Sequence, residues 1–256
     1  MSAHDQKIYR LLVNGFSVEA RFSVSEVNDV LDRIIDIIMS IRNKKEEKER
    51  TIAFFAGPPG AGKSTLALSV EMRAKQRGIS ASFECLGLDG FHRTREELMN
   101  TPVFVDGKRL CLNDIKGAPE TFDAEGFVDS VRRVKSEENA LWPVYDRRIH
   151  DVSPEKTKVK GEILLVEGNW LMLPGIWAEA RGACDVTFSV DAEDALLKER
   201  LIDRKIRGGK TEEEAALWVE RVDSVNVSRY RAQSAPADIR IMRKNGCLVL
   251  FNKNIE

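Results

Sequence analysis

A glycine-rich segment constrains the fold of this chain more than any other part of its sequence. The segment matches the phosphate-binding pattern G-x-x-x-x-G-K-[ST] at every position and reads Gly57-Pro58-Pro59-Gly60-Ala61-Gly62-Lys63-Ser64. An apolar run at 51–56 precedes it and a helical pattern follows, which is the context that the motif needs. The glycines let backbone N–H groups approach phosphate oxygens closely, at the positive end of the helix dipole. The pattern therefore predicts an ATP-binding loop that includes Thr65, with Lys63 on the β- and γ-phosphates and Ser64 on Mg²⁺.

Further short apolar runs alternate with helical patterns along residues 51–256. The runs predict strands at 51–56, 81–88, 162–166 and 186–190, and helices are predicted at 123–135, 192–206 and 212–230. Residues 239–251 resemble a hairpin, and residues 100–119 are predicted to be mostly loop. Alternating strands and helices favour a parallel sheet with right-handed crossovers. We therefore predict an α/β fold of the P-loop NTPase class, a three-layer sandwich with a mostly parallel sheet.

The first 50 residues have a different pattern. Residues 7–22 alternate as in a hairpin around Asn14-Gly15, and Ser23 with Glu26 has the spacing of a capping box. The helix that follows has an apolar face, whose members are Val27, Val30, Leu31, Ile34, Ile35, Ile38 and Ile41. We predict an extension at 1–50, a hairpin and a helix, in front of a kinase domain at 51–256.

Composition and charge exclude several classes of protein. Forty basic residues balance forty-one acidic ones, so nothing indicates a nucleic-acid partner. The longest apolar stretch, residues 34–41, is far shorter than the roughly 20 residues that span a bilayer, and the first residues lack the pattern of a signal peptide. The four cysteines are scattered without metal-ligand spacing, which favours reduced thiols and a cytoplasmic location.

Two acidic residues follow predicted buried strands. Asp89 comes after the second strand and Glu167 after the third, where an open α/β sheet binds its ligand. Asp89 can accept the proton of an attacking hydroxyl, and both carboxylates can serve Mg²⁺ beside Ser64. The alternatives are an Asx turn at Asp89-Gly90 and a solvent-facing glutamate. The combination with Lys63 favours catalysis.

Three arginines lie near one face of the helix predicted at 192–206 and just beyond it. Arg200, Arg204 and Arg207 are followed by Gly208-Gly209, which predicts a lid around 198–211 that closes over the phosphates. The alternative is a charged surface helix paired with Glu199 and Asp203. The cluster favours the lid.

Other P-loop classes lack support in this sequence. A GTPase would carry Asn-Lys-x-Asp, and the nearest segment here, 252–255, lacks the aspartate and lies at the chain end. A motor or helicase would show an apolar run that ends in Asp-Glu, whereas this run ends in Glu167-Gly168. These departures favour a kinase.

Five ordered landmarks resemble the superfamily of uridine kinase, phosphoribulokinase and bacterial pantothenate kinase. They are the P-loop, Asp89-Gly90-Phe91-His92, Gly117-x-Pro119-Glu120-Thr121-Phe122-Asp123, Pro143-Val144-Tyr145 with His150, and Val166-Glu167-Gly168. The resemblance implies a proton-accepting Asp89, a metal-side Glu167 and a lid arginine at Arg204. Arg200 and Arg207 are further ATP-binding candidates.

The same resemblance indicates substrate contacts. Tyr145 and His150 are the main candidates, and His92, Arg93 and Asn226 are weaker ones. The expected acceptor is a small molecule with a hydroxyl group, nucleoside-like or pantothenate-like, with a sugar or sugar acid as the alternative. A nucleotide-gated regulator that signals through the N-terminal helix is a further alternative, and an exposed apolar face on that helix would favour it. Kinases of this type often associate, so a homodimer is a further expectation.

Overall fold

The computed structural model of the protein describes residues 6–13, 15–105, 107–146 and 148–252. Its centre is a six-stranded sheet in the order β12-β11-β10-β3-β9-β4. These strands are β3 (Thr51–Ala56), β4 (Phe83–Gly87), β9 (Ile163–Gly168), β10 (Val186–Ala192), β11 (Ile239–Lys244) and β12 (Cys247–Asn252). All neighbours pair in parallel except β11 and β12, which form the predicted hairpin. The predicted α/β fold with a mostly parallel sheet is therefore confirmed.

Helices cover both faces of the sheet. They are α1 (Val24–Glu26), α2 (Arg33–Arg42), α3 (Lys63–Gln76), α4 (Arg95–Asn100), α5 (Ala124–Ser136), α6 (Ile176–Gly182), α7 (Asp194–Arg207), α8 (Glu212–Trp218) and α9 (Ser224–Gln233). One buried cluster joins Ala53 and Phe55 of β3 to α3, and a second joins Ile52 and Phe54 to α5. Every residue of β3 is buried, as its continuous apolar sequence predicts for a strand covered on both faces.

The N-terminal residues form the predicted hairpin and helix. Strands β1 (Gln6–Val13) and β2 (Phe16–Ser23) pair antiparallel, while Asn14 of the predicted turn lies outside the described residues. A capping box at Ser23 and Glu26 starts α1, and a π-helical stretch, Val27–Asp32, leads into α2. The apolar face of this helix is buried in the same cluster as α3 and the sheet.

Two hairpins differ from the sequence prediction. Residues 100–119 were predicted to be mostly loop, but they contain the antiparallel pair β5 (Pro102–Val105) and β6 (Lys108–Cys111). A second pair, β7 (Leu141–Asp146) and β8 (Asp151–Lys158), was not predicted at all. Most of β8 is exposed and polar, so it lacks the apolar alternation that identifies a half-buried strand. The helix predicted at 212–230 is also interrupted, because a π-helical stretch at Val219–Asp223 separates α8 from α9.

No helix among the described residues is both long and apolar enough to cross a bilayer.

Candidate active site

The P-loop connects β3 to α3 at the carboxyl edge of the parallel strands. Gly60 and Gly62 have φ values of +83° and +93°, which favour glycine, and Gly62 precedes the first turn of α3. Gly57 is needed for a different reason, because a Cβ there would lie 2.1 Å from the carbonyl oxygen of Val190 in β10. The glycines therefore shape a loop whose N–H groups and helix terminus suit an anion.

Lys63 is buried beneath this loop. Its Nζ donates to the Pro58 carbonyl oxygen at 3.0 Å and to Oδ1 of Asn169 at 2.7 Å. Burial lowers the pKa of Lys63 to about 8. The negative charges of Glu167, Asp89 and Asp191 raise this pKa, whereas the positive charge of Arg204 lowers it further. The predicted catalytic side chains therefore share one electrostatic neighbourhood.

The two strand-end carboxylates lie on neighbouring strands. Glu167 of β9 pairs in register with Gly87 of β4, and Asp89 follows Gly87 by two residues in a 3₁₀ turn, Leu88–Phe91. The turn is held by the backbone N–H and Nδ1 of His92, which lie 3.2 and 3.0 Å from the Asp89 carbonyl oxygen. Both acids therefore face the same edge of the sheet as the P-loop.

Arginines of α7 approach the P-loop from the other side. Nη1 of Arg200 donates to the Gly60 carbonyl oxygen at 3.2 Å, and a Cβ at Gly60 would lie 3.1 Å from Cγ of Leu201. Arg204 lies 3.7 Å from Oδ1 of the buried Asp223, and Arg207 pairs with Asp203 on the exposed side of the helix. The first half of α7 is therefore packed tightly on the loop, and Arg204 lies closer to the carboxylate edge.

Two cavities meet at the P-loop. Cavity A has a volume of about 410 Å³ and is lined by residues 60–66, Arg200, Arg207 and residues of the β1–β2 hairpin. Cavity B has a volume of about 570 Å³, and its lining includes Asp89, Tyr145 and Asn169. Arg204 and Phe16 line both cavities. The P-loop thus separates a cavity with the anion-binding groups from one with the candidate proton acceptor.

The structure gathers four of the five candidate substrate residues in cavity B. His92, Tyr145, His150 and Asn226 line it, whereas the exposed Arg93 does not. The rings of His92 and Tyr145 are 5.5 Å apart, and those of His92 and Phe122 are 3.9 Å apart. His150 has a φ of +54°, uncommon for a residue with a side chain, and its carbonyl oxygen accepts from Lys116 at 3.0 Å.

Several lining residues of cavity B were not singled out from the sequence. Asn169, Lys116 and Trp218 belong to this group. Asn169 directly follows Glu167-Gly168, so its position after a buried strand was a signal that could have been used. Trp218 has Lys205 at 4.7 Å and Lys210 at 5.3 Å from its ring, contacts that depend on the fold and have no local pattern.

The donor set suits magnesium better than a softer metal. Ser64, Asp89 and Glu167 offer only oxygen ligands, which Mg²⁺ prefers and completes with water and phosphate oxygens. Among the described residues, no three His, Cys, Asp or Glu side chains converge as a complete metal site. This arrangement fits an ion that arrives with the nucleotide.

The sequence is similar to those of several known proteins. The chain is 34% identical over 230 residues to the uncharacterised protein YggC of Escherichia coli, covering 90% of this chain and 92% of that protein. It is 28% identical over 223 residues to a candidate uridine kinase of Schizosaccharomyces pombe, covering 84% and 90%. It is 29% identical over 212 residues to pantothenate kinase of Shewanella amazonensis, covering 73% and 64%.

A solved structure has the same architecture. The crystal structure of a candidate fructose transport system kinase from Silicibacter matches with a TM-score of 0.70 and 26% identity, over 82% of this chain and 98% of that one. No protein-family profile matches the chain.

Proposed function

The chain belongs to the superfamily of P-loop kinases that includes uridine kinase, pantothenate kinase and phosphoribulokinase, and on that premise we propose how it performs its reaction and on which acceptor. Kinases of this superfamily transfer a phosphoryl group from ATP, usually with Mg²⁺, to a hydroxyl group of a small molecule. The observation that supports a mechanism for this chain is the division between cavity A and cavity B at the P-loop.

In this proposal the γ-phosphate lies where the two cavities meet. Lys63 and Arg204 compensate the negative charge that the transferring group carries. Ser64 and Glu167 would hold the Mg²⁺, which would supply positive charge to the phosphates. Asp89 lines cavity B, where it orients the acceptor hydroxyl and takes its proton as the new O–P bond forms and the bond to ADP breaks. Arg200 and Arg207, which line cavity A, contact the nucleotide, and the segment around 198–211 closes over it.

The charge of cavity B favours an acceptor that carries an acidic group. Five basic side chains line it, namely Arg95, Lys116, Arg204, Lys205 and Lys210, against the three acidic side chains of Asp89, Glu214 and Asp223. Positively lined clefts raise the local concentration of anionic substrates. A carboxylate- or phosphate-bearing hydroxyl compound, pantothenate-like or a sugar acid, therefore fits this cavity best.

A nucleoside-like acceptor is the second candidate, and a different observation favours it. The aromatic rings of His92, Phe122 and Tyr145 lie together in cavity B. Planar bases bind well against such rings. Tyr145 and His150 would contact the acceptor in either case, and the buried Asn226 also lines the cavity.

A nucleotide-gated regulator has less support. An exposed apolar face on the N-terminal helix would have favoured it, but Leu31, Ile34, Ile35 and Ile38 of that face are fully buried. The remaining test is ATP hydrolysis without any acceptor, which Asp89→Asn would leave unchanged in a regulator.

The experiment measures MgATP-dependent ADP formation with pantothenate, glycerate, other sugar acids, ketoses, ribulose phosphates and nucleosides. We expect one acceptor class to raise the rate, and Asp89→Asn to lower kcat by about 10²- to 10⁴-fold. Asp129→Asn, an exposed surface aspartate of α5, is the matched control and should behave as wild type. Acceptor-independent rates that persist in Asp89→Asn would overturn the proposal.

A further inference from the structure

The N-terminal hairpin forms one wall of cavity A. Val13 of β1 and Phe16 and Val18 of β2 line this cavity opposite the P-loop residues Gly60–Leu66. Val13 pairs directly with Phe16 in the hairpin register, so their side chains lie on the same face. The hairpin is thus positioned to touch whatever extends from the P-loop into cavity A.

The two ends of cavity A differ in chemistry. At the P-loop end, backbone N–H groups, Lys63 and Ser64 suit phosphates. Away from the loop, the hairpin contributes mainly apolar residues to the lining, together with the charged pair Glu19 and Arg21. Leu248, Arg200 and Arg243 also line this part of the cavity. A purine base has two apolar π-faces, which pack on apolar side chains and stack on guanidinium groups.

The direction in which a nucleotide lies follows from the proposed reaction. Its γ-phosphate must face Asp89, which lines cavity B and not cavity A. The base and ribose are at the other end of the phosphate chain, so they extend into cavity A, away from the acceptor. The whole of cavity A, with a volume of about 410 Å³, is within the range of small-molecule sites.

The hairpin wall is held firmly in place. Tyr9 and Phe22, on its inner side, are buried and pack edge to face with ring centroids 5.5 Å apart. At its base, Oε1 of Glu26 accepts from the backbone N–H of Leu248 at 2.8 Å and lies 3.7 Å from Arg243. The same glutamate therefore ties the hairpin side of cavity A to the β11–β12 side.

We propose that the β1–β2 hairpin is the base-binding wall of the nucleotide site, with Phe16 and Val18 against the base and Arg200 and Arg243 opposite. The inference rests on ATP binding at the P-loop, and it assigns a nucleotide-binding role to an N-terminal segment outside the phosphate-binding motif. Phe16 lines cavity A beside Val13 and Val18 and also lines cavity B.

The test compares ligands that share the phosphates but differ in the base. Isothermal titration gives the Kd of MgADP, MgATP and magnesium tripolyphosphate for wild type and for Phe16→Ala. We expect Phe16→Ala to raise the Kd of both nucleotides about tenfold, because the base loses its apolar contact, and to leave that of tripolyphosphate unchanged. Phe16→Tyr keeps the ring and should retain the wild-type values.

The matched control is Leu12→Ala on the opposite face of the same hairpin. Leu12 is 71% exposed and does not line either cavity, so its removal should change no Kd. An unchanged nucleotide Kd in Phe16→Ala, or an equal loss for tripolyphosphate, would overturn the inference. Both readouts are independent of any acceptor, so failure of the kinase assay would not be confused with failure of this proposal.

Discussion

Lys63 is held by neighbouring groups at the centre of the site. Its side chain donates to Asn169 and to the Pro58 carbonyl oxygen, and burial lowers its pKa to about 8. A buried ammonium loses hydration, so the neutral form becomes accessible near neutral pH. Polyphosphate would restore the preference for the charged form, because the negative charge stabilises the cation. Nucleotide binding and proton uptake by Lys63 are therefore coupled.

This coupling predicts the pH dependence of nucleotide binding. Below pH 8 Lys63 is protonated before the ligand arrives, whereas above pH 8 binding must first add a proton. We expect the Kd of MgADP to be flat at lower pH and to rise about tenfold per pH unit above 8, as measured by titration calorimetry.

Lys63→Met is the control for this prediction. It should bind weakly at every pH and lose the rise above pH 8. A wild-type Kd that stays constant between pH 7 and pH 9.5 would contradict the coupling. Lys205, whose pKa is also about 8 because of burial, lines cavity B, so Lys205→Met should keep the pH dependence.

Gly90 follows the candidate catalytic residue Asp89 and packs closely against β7. Asp-Gly is common in turns, and the sequence left a simple Asx turn open beside a catalytic aspartate. In the structure a Cβ at Gly90 would lie 2.1 Å from the carbonyl oxygen of Pro143 in β7. The glycine is therefore required for close packing of β7 against the turn that carries Asp89.

At the scale of elements, the glutamate of the α1 capping box also contacts β12. Oε2 of Glu26 accepts from the Ser23 backbone N–H at 2.8 Å, and Oε1 accepts from Leu248, more than 200 positions away in the chain. Glu26 is only 8% exposed. Glu26 therefore caps its own helix and also links the N-terminal unit to β12.

This double role predicts a large loss of stability on removal of Glu26. Glu26→Ala leaves two buried N–H groups without their acceptor, so we expect the free energy of unfolding to fall by about 2–4 kcal/mol. Urea denaturation followed by circular dichroism measures the change.

Glu97→Ala is the matched control, because Glu97 is the same position of a capping box on α4 but is exposed. Its loss should cost about 0.5–1 kcal/mol, within the range of an ordinary helix cap. Equal effects at the two sites would show that the contact with Leu248 contributes nothing.

At the scale of the molecule, the N-terminal unit and the P-loop region share a core. Ile34, Ile35 and Ile38 of α2 are fully buried in the cluster that also contains Leu66 and Val70 of α3. Asp32 adds two hydrogen bonds of 2.8 Å to Arg73 of α3. Residues 6–42 are thus packed on the helix that begins at the phosphate-binding lysine.

A shared core predicts a single unfolding transition. Ile34→Ala should lower the free energy of unfolding by about 2–5 kcal/mol, the range for removing a buried aliphatic side chain. All four tryptophans lie between residues 142 and 218, so their fluorescence reports on the region beyond residue 50. We expect the fluorescence midpoint in urea to shift together with the circular dichroism midpoint.

Ile8→Ala, at a 49% exposed position of β1, is the control and should shift neither midpoint appreciably. If Ile34→Ala moved only a minor transition while tryptophan fluorescence stayed at the wild-type midpoint, the two units would unfold separately. The division at residue 50 would then be a true domain boundary.

The sequence by itself determined the features whose physical cause lies in neighbouring residues. The P-loop, the buried strands around it, the acids at their ends and the capping box at Ser23 and Glu26 all depend on contacts a few positions apart. These features were enough to place Asp89, Glu167 and Lys63 at one edge of a parallel sheet, because the carboxyl ends of such strands meet there.

Only the tertiary structure decided what lies around that edge. The bond between Lys63 and Asn169, the division into two cavities and the position of the β1–β2 hairpin join segments that are distant in the chain. The β7–β8 hairpin was not predicted because β8 is largely exposed and polar, and because each strand carries a proline, Pro143 or Pro154. Such contacts depend on how whole elements pack, and no local pattern of residues records that packing.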